Sequence, residues 1–345
     1  MKKEPALLQT EDLFIGYPHV SGAEGKSMKR IAGPLNLQLV PGKLICLLGA
    51  NGTGKSTLIK TLAGLQPWLS GEVTIDGRSV TSLSPLKMAG CMSLVLTETI
   101  RAWNLDVYSL IALGRFPYTS WLGTLSKADR LIIGTAIQSV QLEDFIHRKV
   151  DELSDGERQR VMLARALAQD TAIIMLDEPT AHLDLPNRIA LMNLLHTLSR
   201  SQGKSILLST HELDLALQLA DEIWLLDGQG NLLIESPEDL VLSGQFAAAF
   251  DKAGKLFDLA TGTFNIALPT GPVILLVGSG IPAFWTKRAL QRVGFNVILL
   301  PDGGEHLLFT VTVTEVGGNV NWKLTDSKRV LNLLSVAALL EAMGI

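Results

Sequence analysis

The sequence predicts an α/β protein, a parallel sheet covered on both faces, followed by a small C-terminal α+β module. Three observations predict it. Short apolar runs (Lys43 to Leu48, Ala172 to Leu176, Ser205 to Ser209) alternate with helix-length stretches, the pattern of βα units whose strands are buried. The first run leads through a glycine-rich loop directly into a helix. At 345 residues the chain exceeds what one core usually holds, and its pattern changes beyond about Asp258.

Leu35, Leu37 and Leu39 alternate with polar residues and predict a half-buried strand ending at Pro41-Gly42. A helix is expected from Lys55 to Ala63, stopped by Gly64. Glu72 to Ile75 reads as a strand closed by the hairpin-type turn Asp76-Gly77. From Thr97 to Val150 the signals become helical. Asp106 can cap a helix through Leu113, and Ser126 with Asp129 has capping-box spacing for one through Val140. Strand and helix then alternate again, with a helix near Asn187 to Arg200 between the last two strands. In the tail, strands are expected at Val273–Val277, Asn296–Leu300, Phe309–Val313 and Val320–Leu324, with a helix near Phe284 to Val293. Gly317-Gly318 suits a hairpin turn.

Net charge is only -4 with no basic stripe, so charge gives no support to nucleic-acid binding. Cys46 and Cys91 are too few and too far apart for a metal motif, and their apolar surroundings predict buried free thiols, compatible with a reducing cytosol. No apolar stretch follows Met1-Lys2-Lys3-Glu4-Pro5, and no window approaches ~20 apolar residues. A membrane role is therefore expected through a partner.

Gly49, Ala50, Asn51, Gly52, Thr53, Gly54, Lys55 and Ser56 form a phosphate-loop pattern between strand and helix, continued by Thr57. Glycines let backbone N–H groups turn inward around phosphate oxygens, and the helix N-terminus adds positive potential. Lys55 is expected on the β- and γ-phosphates of ATP and Ser56 on Mg²⁺. The apolar run Ile173 to Leu176 ends in Asp177 and Glu178. Asp177 is placed to hold Mg²⁺ through water, and Glu178 to polarise the attacking water as general base.

Leu153-Ser154-Asp155-Gly156-Glu157-Arg158-Gln159-Arg160 resembles the signature motif of ATP-binding-cassette (ABC) ATPases. The resemblance spans roughly residues 6–245. It implies a phosphate-loop NTPase core with an antiparallel β flank and a helical subdomain over about 97–168, the whole cassette occupying 1–258 and the α+β module 259–345. It also implies that Ser154, Asp155, Gly156 and Glu157 act in trans on the ATP of a partner cassette. Ser154 and Glu157 have capping-box spacing as well. Ala181-His182-Leu183-Asp184 resembles the D-loop, His211 the switch histidine that touches the γ-phosphate, and Tyr17 the aromatic that stacks on adenine. Stacking of that kind contributes about 1–3 kcal/mol per base.

One family element is missing. A glutamine is expected after the strand at 91–96, where this chain has Leu96-Thr97-Glu98; Glu98 takes the position and cannot donate as an amide does. Ile111 to Tyr118, including Arg115, resembles a stretch in importers of iron chelates, haem and cobalamin, although Arg115 to Tyr118 also suits an ordinary solvated helix end. The resemblance implies a homodimer closing head-to-tail on two ATPs, integral membrane permease subunits, a solute-binding protein acting indirectly, no nucleic acid, and a cytoplasmic location on the inner face of the membrane. A soluble cassette ATPase acting on ribosomes or DNA would use the same site, but it normally carries a second cassette or a long coiled-coil insert, and the sequence shows neither. Gly278-Ser279-Gly280-Ile281-Pro282-Ala283, with Asp302 beyond it, matches a dinucleotide fingerprint. Pro282 is expected to interrupt the helix opening, and the module reads better as regulatory or dimerising.

Overall fold

The computed structural model describes residues 6–20, 26–96, 104–120, 123–181, 183–250, 257–258, 262–264, 271–300, 309–326 and 329–345. The chain divides into two compact units, 1–263 and 264–345.

In the first unit six strands form the central sheet. These are β4 (Leu44–Leu48), β7 (Met92–Val95), β8 (Ile173–Asp177), β9 (Ser205–Ser209), β10 (Glu222–Leu226) and β11 (Leu232–Glu235), in the order β11-β10-β4-β9-β8-β7. All neighbours run parallel except β11, which returns antiparallel to β10. β4, β8 and β9 are buried at every position, so they read as continuous apolar runs rather than alternating ones.

A second, antiparallel sheet joins β1 (Leu8–Val20), β2 (Lys26–Leu35), β3 (Gln38–Leu39), β5 (Ser70–Ile75) and β6 (Arg78–Ser79). Leu35, Leu37 and Leu39 are buried as the alternation predicts, but the expected single strand is two. The Thr10 hydroxyl donates to the Leu35 carbonyl (2.8 Å) and accepts from the Leu37 amide (2.9 Å), taking ladder bonds at the break. Asp76 and Gly77 both have positive φ and close the β5–β6 hairpin.

The phosphate-loop helix α1 (Lys55–Leu62) and the short α2 (Pro85–Cys91) lie before β7. The helical region contains α3 (Val107–Ala112), a 3₁₀ segment (Leu113–Tyr118), α4 (Lys127–Ser139) and α5 (Asp155–Ala168). Both predicted caps form. Asp106 accepts from the Ser109 amide (2.6 Å), and Ser126 and Asp129 make a reciprocal capping box. The helix α6 (Leu185–Gln202) ends at Gly203 in the left-handed region. The helices α7 (Leu213–Leu219), α8 (Pro237–Leu242) and α9 (Gln245–Phe250) complete the unit's helices, and a short ribbon of β12 (Phe257–Asp258) and β13 (Thr263–Phe264) follows them in the chain.

The second unit is a five-stranded sheet, β15 (Asn296–Leu300), β14 (Val273–Val277), β16 (Phe309–Val316), β17 (Asn319–Asp326) and β18 (Val330–Leu333) in spatial order, with α10 (Gly280–Arg292) and α11 (Val336–Ala342). The β16–β17 turn is Gly317-Gly318, both at positive φ. Pro282 does not interrupt α10, which opens at Gly280. In the first turn the missing proline N–H costs no helix bond. Asp302 lies outside the described residues.

Candidate active site

The phosphate loop leaves the buried strand β4 and turns into α1 through backbone that excludes side chains. Gly54 caps α1 at φ 110, and a Cβ there would stand 2.2 Å from Ile31 Cγ2. At Gly49 (φ 152) a Cβ would meet the Leu226 carbonyl oxygen at 2.5 Å. Both positions therefore require glycine. Lys55 is buried, and its Nζ donates to the carbonyls of Gly49 (2.8 Å) and Ala50 (3.2 Å). Burial lowers its pKa, while Glu178 and Asp177 push it back up. Asn51 and Gly52 are exposed at the loop's tip, Thr53 bonds back to the Ala50 carbonyl through its hydroxyl (2.9 Å), and Thr57 is half-buried in the first turn of α1.

Opposite the loop, the carboxyl ends of β8 and β9 bring the acids together. Asp177 is buried, and its Oδ1 accepts from Ser56 Oγ (3.0 Å) and Ser209 Oγ (2.7 Å). The Glu178 amide donates to Ser209 Oγ (2.9 Å) and to the Ser209 carbonyl (3.2 Å). Glu178 sits at φ 50, an uncommon conformation for a side-chain-bearing residue, and its Oε1 lies 3.0 Å from His211 Nε2. One hydrogen-bonded chain thus joins Ser56, Asp177, Ser209, Glu178 and His211, and the charges of Asp177 and Glu178 act on the Lys55 ammonium. Sequence reading missed the Ser209 bridge. Its position two residues before His211, at the end of a buried strand, was the available signal.

Other predicted residues stand apart from that cluster. Tyr17 is 40% exposed on β1, with Lys29 Nζ 5.9 Å from its ring centroid. Ser154 caps α5; its hydroxyl accepts from the Glu157 amide (3.3 Å), and its own amide (2.8 Å) and then its hydroxyl (2.8 Å) donate to Glu157 Oε2, which holds the Glu157 carboxyl below its usual pKa. Asp155 is exposed and pairs with Arg158 (2.9 Å), and Gly156 lies against Leu183. Among the described residues no hydrogen bond connects Ser154–Glu157 to the phosphate loop. Asp184 caps α6 by accepting from the Asn187 amide (3.1 Å). Thr97, Glu98 and His182 lie outside the described residues.

Arg115 is not at a solvated helix end. It is buried and pairs with Asp129 (2.8 Å), with both side chains 8% exposed, and it stacks 4.1 Å from the Tyr118 ring centroid. Sequence spacing cannot show this, because the partner lies on another helix. The hydroxyl of Ser126, then Arg115, hold the Asp129 carboxyl down at about 2, from a usual 3.8. A depressed carboxylate contributes stability that is present above about pH 4 and is lost as pH falls through about 2. The melting temperature of the wild type is accordingly expected to fall more steeply between pH 4 and 2 than that of Asp129→Asn. Parallel melting curves over pH 6 to 2 would contradict this.

The two thiols differ. Cys46 is fully buried and burial pushes it up to about 12, whereas Cys91 is only half-buried, with its pKa raised for the same reason. Between α1, α2, β7 and α5 lies a groove of about 510 Å³, lined by Gly64, Met88, Met92, Leu94, Met162 and Arg165 among others. Arg165 reaches the Leu94 carbonyl at 3.4 Å, and burial lowers its pKa. Among the described residues no helix is long and apolar enough to cross a membrane.

A strand–loop–helix phosphate cradle facing two strand-end acids and a histidine defines a phosphate-loop ATPase. Comparison with known proteins specifies the class. Residues 32–181 match the ABC transporter family model, and residues 270–343 match the iron ABC transporter C-terminal domain. An ABC transporter ATP-binding protein of Methanocaldococcus jannaschii is 32% identical over 85% of this chain and 99% of its own length. The iron(3+)-hydroxamate import ATP-binding protein of Bacillus subtilis is 35% identical over 62% of this chain and 76% of its own. A dimeric ATP-binding cassette in a post-hydrolysis state, bound to ADP and Pi, superposes with a TM-score of 0.58 at 25% identity, covering 67% of this chain and 98% of that one. The chain belongs to the ABC transporter ATP-binding proteins, and it binds and hydrolyses ATP.

Proposed function

We propose that two copies of this chain close head-to-tail over two ATP molecules and drive uptake of an iron chelate, haem or cobalamin-type solute through membrane permease subunits. The observation that carries the reading is the connected cluster from Ser56 through Asp177 and Ser209 to Glu178 and His211. Iron chelates are favoured within that group by the match of residues 270–343 to the iron transporter C-terminal domain and by the iron(3+)-hydroxamate import relative.

Lys55 and the inward N–H groups of Gly49 to Thr57 bind the phosphates, and Tyr17 stacks on adenine. Ser56 and Asp177 present hydroxyl and carboxylate oxygens 3.0 Å apart, the hard donors that suit Mg²⁺. These two would hold the ion, which supplies positive charge at the phosphate oxygens. Glu178 takes a proton from the attacking water, and His211, in contact with Glu178, fixes the direction of that carboxylate and bonds the γ-phosphate. Ser154 and the Gly156 amide donate across the dimer, and Asp184 belongs to the loop between the two sites. Preorganised donors and charge then do most of the chemistry. Tighter binding of ATP to the closed dimer drives the stroke.

The cassette spans residues 1–258, and 259–345 adjusts dimer contacts or transport. Glu98 stands where the coupling glutamine belongs. The apolar groove around Met88 and Met162 is the surface that fits a permease helix, so the chain sits on the inner face of the membrane. In proteoliposomes carrying an iron(3+)-hydroxamate permease, uptake of an iron(3+)-hydroxamate should require ATP. Met88→Glu should retain basal ATPase but lose at least roughly tenfold of the permease stimulation, because a buried unpaired charge opposes docking. ATP-independent uptake, or unaltered stimulation in Met88→Glu, would refute the assignment.

A further inference from the structure

The last turn of α5 is held from two sides. Gly114, in the 3₁₀ segment, packs so closely on it that a Cβ there would lie 2.3 Å from the Arg165 carbonyl oxygen. The next residue, Arg115, uses its guanidinium as a fork, with Nε donating to Asp129 Oδ1 (2.8 Å) and one terminal nitrogen donating to the Ala168 carbonyl (3.0 Å). The other oxygen of Asp129 accepts from the amide (2.9 Å) and hydroxyl (2.6 Å) of Ser126, the cap of α4. From the opposite side Gln169, which caps the end of α5, donates to the carbonyls of Ala89 (2.6 Å) and Met92 (2.7 Å) beside the central sheet. At its other end α5 begins with Ser154, where the hydrogen bonds are local, running among residues 150–158.

We propose that Arg115, seated by Gly114, is a positioning residue for the signature loop: it fixes the direction of α5 and thereby where Ser154 is presented to the partner cassette's ATP. The proposal rests on the head-to-tail reading above. A helix of 14 residues without an internal proline behaves as a stiff rod of ~21 Å, so a tilt of ~10° at the clamped end moves the other by ~4 Å. That displacement exceeds the tolerance of a hydrogen bond to a phosphate oxygen. Stability alone is a weak explanation for the pair, because burying both charges costs about as much as their attraction returns. What the fork adds is orientation. It joins the start of α4 to the end of α5 with two bonds from one rigid plane, which a lysine cannot reproduce. The guanidinium also meets the negative end of the α5 dipole.

The full chain in a Glu178→Gln background separates this from a purely structural role. Arg115→Lys and Gly114→Ala are compared with Ser154→Arg for monomer ATP affinity, for the ATP concentration giving half-maximal dimer by light scattering, and for melting temperature. Arg115→Lys and Gly114→Ala should bind ATP as monomers within about twofold of the parent yet need at least roughly tenfold more ATP to dimerise. If one of them fails to fold, the other carries the comparison. Dimerisation at the parent's ATP concentration, whatever the melting temperature, would overturn the proposal, as would a monomer affinity that falls in step with dimerisation. Ser154→Arg should abolish the dimer. If it dimerises normally, the head-to-tail reading itself fails, a result distinct from failure of the Arg115 variants alone.

Discussion

Glu178→Gln is expected to lower ATP turnover by about 10²- to 10⁴-fold, the usual worth of a positioned general base, while ATP still binds and the closed dimer accumulates. The backbone of Glu178 is held at φ 50 by two bonds from its amide to Ser209, and glutamine occupies the same volume. The substitution therefore removes basicity and leaves Lys55 and Ser56 in place for the contacts proposed for them. Single-turnover hydrolysis followed by sizing chromatography reads both effects. Hydrolysis within about tenfold of wild type would assign the base elsewhere, and His211, 3.0 Å from the carboxylate, would be the first group to examine.

Lys55→Ala acts one step earlier. The ammonium is buried, which lowers its pKa, and Glu178 and Asp177 only partly restore its charged form. A charge-assisted hydrogen bond contributes about 1.5–3 kcal/mol, so losing it should weaken ATP binding by roughly 10- to 150-fold. Titration with a fluorescent ATP analogue measures the change. Because alanine also leaves the Gly49 and Ala50 carbonyls without their donor, the melting temperature must be followed alongside. A folded variant with undiminished affinity would place Lys55 outside the phosphate site.

What was legible in the sequence was local. The phosphate loop could be read because Gly49 and Gly54 must be glycine to hold their backbone angles. The helix starts could be read because a cap and the amide it satisfies lie three residues apart, as with Ser126 and Asp129 or Ser154 and Glu157. The strands β4, β8 and β9 announced themselves because a strand buried on both faces needs no polar side. Their order in the sheet did not show in the chain, whereas the meeting of Asp177 with Ser56 across 121 positions was expected from the phosphate loop and the strand-end acid together.

By itself, then, the sequence determined an α/β phosphate-loop ATPase with a signature-bearing helix and a small second unit, since each of those features depends on neighbours within a turn or a strand. The structure decided the rest. It made Arg115 a buried fork between α4 and α5, against the alternative of a solvated helix end, made Ser209 the bridge between Asp177 and Glu178, split the strand after Leu35 with the Thr10 hydroxyl, and let α10 run through Pro282. The physical reason differs between the last case and the others. A proline in a first helical turn is harmless on local grounds, whereas the other three depend on hydrogen-bond partners 14 to 53 residues away, which only the packed chain brings within 3 Å.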